Sequence, residues 1–306
     1  MRIAVMGAGG LGGYFGARLC LGGAEVHFIA RGRHLQAMRG DGLRIAGPEP
    51  LHVPRVEATD DAASIGTVDL VMLCVKLWDT DAALEQIRPL VGTRTTIISF
   101  QNGVLKDEAL RAAYGAERMM GGVAYVAATI DRPGVIRQTG PMQRLLFGEF
   151  DGSLSTRGQA FLEACLAGGI KAELSGEILR EIWQKYVFLV GLSGTTTTIR
   201  KPIGPIREHA QTRGFLLDVM REVVAVGRAH GVNLPEDYAE VRLKLADEVD
   251  YEMTSSMHHD LERGNPLEVR WLAGAVVDLG RRTGVPTPLN RAIADILALH
   301  AGGGAP

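Results

Sequence analysis

The chain opens on the stretch Arg2-Ile3-Ala4-Val5-Met6-Gly7-Ala8-Gly9-Gly10-Leu11-Gly12, and this stretch decides the fold. Its first part, Arg2–Met6, is a short apolar run that predicts a buried strand, and helix-like apolar spacing over Tyr14–Leu21 follows the glycines. A second apolar run, Val26–Ala30, predicts the next strand. A strand, a glycine turn, a helix and a second strand within about 30 residues are typical of a mononucleotide-binding unit.

The glycine turn has the pattern Gly-x-Gly-x-x-Gly at the place where a dinucleotide fold needs it. Gly7 permits the tight turn, Gly9 lets the backbone approach a pyrophosphate, and Gly12 allows the helix to pack closely on the strand. The helix N-terminus adds unpaired N–H groups and a partial positive charge, which favour phosphate. We therefore predict that the whole turn contacts a dinucleotide. Its residues are Gly7, Ala8, Gly9, Gly10, Leu11 and Gly12.

The end of the second strand indicates which dinucleotide is bound. An NAD site places Asp or Glu there to accept a hydrogen bond from the ribose 2′-hydroxyl. This chain has Ala30-Arg31-Gly32-Arg33 instead, and guanidinium groups suit a 2′-phosphate. We therefore predict NADP, with Arg31 as the phosphate ligand. Lys76 and Asn102 each follow a predicted strand, so both are expected beside the ligand, beyond the carboxyl ends of the strands.

The whole chain predicts an α/β fold in two domains. Alternating strands and helices over residues 1–174 predict an N-terminal Rossmann dinucleotide-binding domain with a mostly parallel sheet and helices on both faces. Residues 175–306 are almost wholly helical in periodicity and predict an all-helical C-terminal domain. The further strands are expected at 68–75, 95–100, 119–128, 134–139, 144–148 and 170–174, with helices at 80–90, 104–114 and 155–166. The helices of the second domain are expected at 177–191, 212–230, 238–249, 256–263, 266–283 and 288–299.

Composition excludes several classes of partner. The 306 residues carry a formal net charge of −2, so no basic excess points to a nucleic acid. No stretch approaches the roughly 18 apolar residues of a transmembrane helix, and glycines interrupt the opening run too early for a signal peptide. The odd number of widely spaced cysteines, Cys20, Cys74 and Cys165, predicts neither a disulfide framework nor a metal site. We expect a cytoplasmic protein without a membrane partner.

Several later blocks narrow the class of protein. They are Arg31, Val75-Lys76, Gln101-Asn102-Gly103, Trp183-Gln184-Lys185, Thr254-Ser255-Ser256-Met257 with Asp260, and Glu268. Together with the glycine turn, and in this order, they resemble the ketopantoate reductase (2-dehydropantoate 2-reductase) family over essentially the full length of the chain. The glycine turn alone would fit dozens of families, whereas the ordered set is much more restrictive.

The resemblance implies NADPH-dependent reduction of a small 2-oxo acid to a 2-hydroxy acid, with 2-dehydropantoate, a precursor of pantothenate, as the family substrate. It implies that Lys185 donates the proton, that Glu268 supports catalysis and substrate binding, and that Asn102 and Ser256 contact substrate or cofactor. Besides the glycine turn, the residues implied at the cofactor are Arg31, Lys76, Asn102 and Glu268. These types suit the chemistry, because hydride addition leaves an alkoxide that an ammonium can stabilise and protonate.

One departure from the family concerns the face of the helix that carries Lys185. The family has asparagine one turn and two turns after the lysine, where this chain has Leu189 and Ser193. Residues at i+4 and i+8 share a helix face, so both should face the substrate. An unsatisfied polar partner costs about 1–3 kcal/mol, so Leu189 favours a bulkier or more apolar 2-oxo acid, while Ser193 keeps a polar contact.

Two alternatives therefore stay open. One is a related NADP-dependent 2-hydroxyacid dehydrogenase that acts on a more apolar 2-oxo acid. The other is a dinucleotide-binding sensor without activity, although a sensor has no need for the proton donor Lys185 and its partner Glu268. The sequence does not give the oligomeric state, and a homodimer is kept open.

Overall fold

The computed structural model describes residues 1–304, and these form two compact units. The first unit comprises residues 1–101 and 106–178, and the second comprises 102–105 and the residues from 179 onward. The division after Ile178 falls slightly later than the predicted one after residue 174, and no local pattern indicates that 102–105 belong to the second unit. Residues 305 and 306 of the predicted second domain lie outside the described part.

The first unit is built on a ten-stranded sheet of order β4-β3-β9-β8-β7-β6-β1-β2-β5, with β10 paired to β9. The strands are β1 Arg2–Met6, β2 Glu25–Ile29, β3 Leu43–Ala46, β4 Leu51–Val53, β5 Glu57–Thr59, β6 Leu70–Leu73, β7 Thr96–Ser99, β8 Met119–Arg132, β9 Val135–Gly148 and β10 Lys171–Leu174. Pairing is parallel except between β8 and β9 and between β3 and β4. The predicted Rossmann domain with a mostly parallel sheet is confirmed.

Helices cover both faces of this sheet, as the side chains of β1 show. Ile3 and Val5 point into one core, and Ala4 and Met6 point into another, because successive strand residues face opposite sides. A strand that is buried on both faces reads as a continuous apolar run, which is why Arg2–Met6 carries no alternation. The helices of this unit are α1 Gly10–Leu21, α2 Gly32–Asp41, α3 Thr80–Gln86, α4 Lys106–Tyr114 and α5 Thr156–Ala167.

The second unit is helical, as predicted. Its helices are α6 Ile178–Ile199, whose first residue still belongs to the first unit, α7 Ile203–Glu208, α8 Ala210–Ala229, α9 Tyr238–Glu248, α10 Ser256–Glu262, α11 Ala273–Thr283 and α12 Pro288–Ile296. Its core packs Val187 and Val190 of α6 with Val223 of α8 and Val276 of α11. None of the helices within residues 1–304 has both the length and the hydrophobicity needed to cross a membrane.

The predicted division of residues 119–148 into three strands is wrong. The structure has only β8 and β9, which turn at Gly134, where φ is +75°. Pro141 lies inside β9, although proline has no N–H for a sheet ladder. It is tolerated because the β8–β9 register shifts between Val126 and Ala128, so that Pro141 falls in an irregularity that needs no paired N–H.

Two helix predictions also need correction. The helix predicted at 266–283 is a 3-10 turn, Glu268–Arg270, followed by α11, because Leu272 leaves the helical conformation at φ −99° and ψ −99°. The first helix of the second unit does not end at Gly191 but continues to Ile199. Gly191 is kept within α6 because α8 approaches it closely: a Cβ there would lie 2.6 Å from Met220 Cγ. The sequence did not reveal α2, α7 or the short strands β3, β4 and β5.

Candidate active site

The glycine turn has the geometry that a diphosphate requires. Gly7 adopts φ +96°, and a Cβ on it would lie 2.9 Å from the backbone nitrogen of Val75. A Cβ on Gly12 would lie 2.1 Å from the carbonyl oxygen of Gly7, so the first turn of α1 lies against the end of β1. Gly9 caps α1 without a side chain, and the space beside its Cα is open. Because no side chain caps this N-terminus, its N–H groups and the open space beside Gly9 fit an anionic group such as a pyrophosphate.

Arg31 and Lys76 flank this turn on the neighbouring strands. Both β2 and β6 pair with β1, and Arg31 follows β2 while Lys76 follows β6. The side chain of Arg31 is 80% exposed, and its Nη2 donates to Asp79 Oδ2 at 3.2 Å. The half-buried Lys76 has its Nζ 5.3 Å from the centre of the Trp78 ring. Two cations thus lie at the carboxyl edge of the sheet, and Arg31 is paired with the Asp79 carboxylate.

A buried glutamine fixes the loop that carries Lys76. Gln101 follows β7, and its Nε2 donates to the carbonyl oxygen of Val75 at 3.1 Å and to Thr80 Oγ1 at 2.9 Å. Its Oε1 accepts from Ser99 Oγ at 3.0 Å. The conformation of the loop after β6 is therefore set by hydrogen bonds to the end of the adjacent strand.

In the second unit, Lys185, Asn102 and Glu268 form one hydrogen-bonded group. Lys185 Nζ donates to Asn102 Oδ1 at 3.1 Å, and Asn102 Nδ2 donates to Glu268 Oε2 at 3.2 Å. This amide orientation follows from the partners, since an ammonium only donates and a carboxylate only accepts. Glu268 is 4% exposed, whereas Lys185 and Asn102 are half-buried. The structure thus brings together three of the residues that the sequence proposed for catalysis and substrate binding.

The residue after Lys185 explains how this group is positioned. Tyr186 is buried, and its hydroxyl donates to the carbonyl oxygen of Leu272 at 2.7 Å. Burial raises the pKa of the Tyr186 phenol, so it stays a neutral donor. The bond ties α6 to the start of α11, just after the turn that begins with Glu268. It also occupies a carbonyl at the point where the predicted helix 266–283 breaks.

After Lys185, helix α6 carries first an apolar side chain and then side chains with hydroxyl groups. Leu189 is half-buried and packs against the helical core, and Ser193 is 1% exposed. Within residues 1–304, the hydroxyls of Ser193 and of Thr197, one turn further, have no hydrogen-bond partner. By contrast, the hydroxyls of Thr195, Thr196 and Thr198 donate to the helix carbonyls four residues earlier, at 2.8, 2.6 and 2.7 Å respectively. The two hydroxyls without a partner therefore lie at i+8 and i+12 from Lys185, which places Ser193 about 80° and Thr197 about 120° around the helix from the lysine.

Ser256 is another predicted substrate residue outside the hydrogen-bonded group. It is exposed at the first position of α10. Across the described residues, no hydrogen bond joins it to Lys185, Asn102 or Glu268. Its neighbour Ser255 is buried, caps α10 by accepting from the His258 N–H at 3.1 Å, and lies 3.3 Å from the hydroxyl of Thr196.

The adjacent histidines His258 and His259 do not form part of a larger ligand cluster. His258 Nδ1 lies 2.8 Å from the carbonyl oxygen of Thr196 and so donates to it, which ties α10 to α6. No group of three or more His, Cys, Asp or Glu side chains suited to a metal ion occurs in residues 1–304.

Sequence reasoning missed two residues in this part of the first unit, Asp79 and His34. Asp79 pairs with Arg31. His34 contacts the carbonyl oxygen of Ala8 in the glycine turn through Nε2 at 2.9 Å. The only signal for Asp79 is that its loop also carries Lys76. His34 lies close after Arg31, in a segment that carries no predicted element.

Comparison with known proteins shows which family the chain matches. The family model described as ketopantoate reductase PanE/ApbA matches residues 3–152, and the model of its C-terminal part matches residues 177–301. The 2-dehydropantoate 2-reductase of Mesorhizobium japonicum is 33% identical over 309 residues, covering 94% of each chain. The uncharacterized oxidoreductase YkpB of Bacillus subtilis is 32% identical over 291 residues, covering 94% of this chain and 95% of that protein.

Solved structures agree with these matches. The crystal structure of 2-dehydropantoate 2-reductase from Geobacter metallireducens superposes with a TM-score of 0.91 and 31% identity, covering 98% of this chain and 99% of that chain. The fold and the matches define a dinucleotide-binding oxidoreductase. Within that class the chain belongs to the ketopantoate reductase family, whose reaction is the reduction of a 2-oxo acid. The predictions of the family, of the fold class and of an enzyme rather than a sensor are confirmed.

Proposed function

We propose that this enzyme uses NADPH to reduce a 2-oxo acid to the 2-hydroxy acid, with the conversion of 2-dehydropantoate to pantoate as its reaction. The hydrogen-bonded group Lys185–Asn102–Glu268 is the observation that carries this proposal. It combines a proton donor, an amide that orients the donor and a carboxylate that offsets its charge. Similarity to proteins named 2-dehydropantoate 2-reductase supports the choice of substrate.

The chemistry gives Lys185 the proton-transfer step and Asn102 an orienting role, while Glu268 offsets the charge of the lysine. When bound, a reduced dinucleotide would provide the hydride that adds to the carbonyl carbon of the 2-oxo acid. Lys185 hydrogen-bonds to the carbonyl oxygen, stabilises the negative charge that develops there, and transfers a proton from Nζ to it. The products are the 2-hydroxy acid, the oxidised dinucleotide and a neutral Lys185 amine, which regains its proton from solvent. Asn102 accepts a hydrogen bond from Nζ at 3.1 Å and so limits the directions in which the ammonium points.

The residues of the first unit fit the cofactor. The backbone N–H groups at the start of α1 would hold the diphosphate, where Gly9 leaves open space. Arg31 would bind the 2′-phosphate and Lys76 the adjoining ribose region. Because the Arg31 side chain is 80% exposed and its Nη2 is paired with the Asp79 carboxylate at 3.2 Å, a 2′-phosphate can reach the guanidinium from solvent. These features support NADP in preference to NAD.

The polarity along α6 supports a substrate with an apolar middle. Leu189 offers a methyl-rich surface one turn beyond Lys185, and Ser193 follows with a hydroxyl that lacks a protein partner in residues 1–304. 2-Dehydropantoate carries two methyl groups beside its ketone and a terminal hydroxyl, which fits this order. The apolar Leu189 equally suits a more apolar 2-oxo acid, which is the second candidate substrate. Ser256 remains a proposed substrate residue.

The test is the oxidation of NADPH, followed by absorbance, with a panel of 2-oxo acids that includes 2-dehydropantoate and larger apolar acids. Each acid is also tested with NADH. We expect turnover with NADPH and the highest kcat/KM for 2-dehydropantoate. A higher kcat/KM for an apolar acid would assign the second substrate, and the absence of turnover with every 2-oxo acid would refute the proposed function.

We further propose a cytoplasmic enzyme that needs no nucleic acid or membrane partner, on the basis of its net charge of −2 and its lack of long apolar runs. A homodimer remains a prediction. Light scattering coupled to size exclusion measures the mass directly, and a mass near that of one chain, 32.9 kDa, would refute the dimer.

A further inference from the structure

His34 bridges two turns that meet at the start of α1. It lies in the first turn of α2 and is half-buried. Its Nε2 is 2.9 Å from the carbonyl oxygen of Ala8, in the glycine turn. Its Nδ1 is 3.1 Å from the backbone nitrogen of Gly134, in the turn between β8 and β9. One imidazole therefore joins the glycine turn to a hairpin more than a hundred residues further along the chain.

The two partners determine the protonation state of the ring. The carbonyl oxygen of Ala8 only accepts, so Nε2 must carry a proton. The backbone N–H of Gly134 only donates, so Nδ1 must be unprotonated. The neutral Nε2–H tautomer alone makes both bonds. A second proton on Nδ1 would lose the Gly134 bond and place two N–H groups face to face.

The hairpin supports the glycine turn at other points as well. A Cβ on Gly10 would lie 2.0 Å from the carbonyl oxygen of Ala128, in β8, and a Cβ on Gly13 would lie 2.9 Å from Ile136, in β9. The first turn of α1 thus lies directly on the hairpin backbone. His34 adds the hydrogen-bonded link to this close packing, and it holds the peptide of Ala8 whose carbonyl immediately precedes the Gly9 N–H.

We propose that neutral His34 is a positioning residue of the dinucleotide site, which holds the glycine turn in its phosphate-binding shape, and that protonation of the ring weakens dinucleotide binding. The inference rests on the proposed placement of the dinucleotide at the glycine turn. His34 itself acts through Ala8, because both of its ring nitrogens are already engaged with backbone groups.

The half-buried position of His34 opposes its protonation in the absence of ligand. Burial lowers the pKa of His34, and the hydrogen bond to the Ala8 carbonyl partly offsets this. The charged side chains on the elements around His34 are mostly cationic: Arg33, Arg39 and Asp41 on α2 with Arg31 beside it, the buried Arg18 on α1, Arg44 on β3, and Arg132 and Arg137 paired with Asp131 near the hairpin turn. A bound diphosphate would act in the opposite direction and attract an imidazolium. The sign of the pH dependence therefore distinguishes positioning from charge attraction.

The experiment measures the Kd of NADH from about pH 5 to about pH 8 by fluorescence titration. NADH is the probe because it lacks the 2′-phosphate, which itself titrates near pH 6. We expect wild-type affinity to fall about tenfold toward acid pH, the scale of one lost hydrogen bond. His34→Gln keeps a donor for Ala8 and does not titrate. At every pH it should therefore bind NADH with the affinity that the wild type has near neutral pH. His34→Ala should bind about tenfold more weakly throughout.

His52→Gln is the matched control, because His52 also contacts a backbone carbonyl, that of Asp41, but at 3.2 Å on exposed β4. It should reproduce the wild-type curve. Affinity that rises toward acid pH, a His34→Gln curve that still titrates, or a wild-type Kd in His34→Ala would each overturn the inference. Gly9→Asp tests the underlying site, since it fits the open space and places a carboxylate where the diphosphate is proposed. If Gly9→Asp leaves NADH binding unchanged, the dinucleotide binds elsewhere, and the proposed cofactor site fails rather than the role of His34 alone.

Discussion

Lys185 Nζ donates a hydrogen bond to Asn102 Oδ1 at 3.1 Å, although 83 residues separate the two side chains. Asn102 is the first residue of the segment 102–105, which belongs to the helical unit, while Gln101 before it belongs to the Rossmann unit. The chain thus leaves the sheet after β7, and the first residue of segment 102–105 contacts the lysine of α6 through its side-chain amide. This amide also donates to Glu268 at 3.2 Å, so it links the cation to the carboxylate.

Replacing Lys185 with alanine should lower kcat about a hundredfold or more, the scale of losing a positioned general acid. The Kd of NADPH should barely change, because the proposed dinucleotide contacts lie at the glycine turn. Steady-state kinetics and fluorescence titration measure the two quantities. Lys201→Ala, at an exposed position just after α6, is the control and should match the wild type. Reduction of a 2-oxo acid by Lys185→Ala at a near wild-type rate would show that the proton comes from elsewhere.

Replacing Glu268 with alanine should raise the KM of the 2-oxo acid and lower kcat. The buried carboxylate is the acceptor for Asn102 Nδ2, so its loss leaves that amide unsatisfied and free to rotate away from Lys185. Kinetics at saturating NADPH separate the two parameters. Glu236→Ala, at an exposed position before α9, is the control. Unchanged kinetics in Glu268→Ala would remove the carboxylate from the proposed mechanism.

Replacing Arg31 with alanine should weaken NADPH binding far more than NADH binding, because only NADPH carries the 2′-phosphate that a guanidinium would hold. Asp79→Asn should have the opposite effect and strengthen NADPH binding, since it frees Arg31 from its carboxylate partner at 3.2 Å. The Kd values of both dinucleotides for both variants measure this. An equal loss of both dinucleotides in Arg31→Ala would contradict a 2′-phosphate role.

Replacing Leu189 with asparagine should raise kcat/KM for 2-dehydropantoate relative to larger apolar 2-oxo acids. The amide would add a polar contact one turn after Lys185, at a half-buried position on the same helix face. The ratio of kcat/KM values for the two acids is the measurement. If the wild type already prefers 2-dehydropantoate and the asparagine only harms that reaction, Leu189 is part of the 2-dehydropantoate site rather than a mark of another substrate.

Local signals in the sequence were sufficient to predict the structure where a residue acts through its own backbone. The glycine turn is one case, because Gly7 needs a positive φ and Gly12 a close approach, and both demands are visible in the spacing of the pattern. The two buried faces of β1 are another, since an apolar run without alternation already indicates them. Resemblance to the family added Lys185, Asn102 and Glu268, which the structure brings into one group.

Local signals failed where a distant partner overrides propensity. The segment 266–283 reads as one helix, but the Tyr186 hydroxyl bonds to the Leu272 carbonyl at 2.7 Å just where the helix breaks. Gly191 reads as a helix end, but the close approach of Met220 makes a glycine necessary inside α6. In both cases a contact from another element selects the conformation. A local stretch of sequence does not show which distant element will make that contact.

The sequence by itself determined the two classes of domain, the glycine turn after β1 and the absence of an acidic residue at the end of β2, because each follows from residues close together in the chain. Only the tertiary structure decided that Asn102 joins the helical unit, that Asp79 holds Arg31, and that His34 links Ala8 to Gly134. Each of these is a directional hydrogen bond or a packing choice between segments far apart in the chain. Such contacts depend on where folded elements place single atoms, and composition and periodicity do not carry that information.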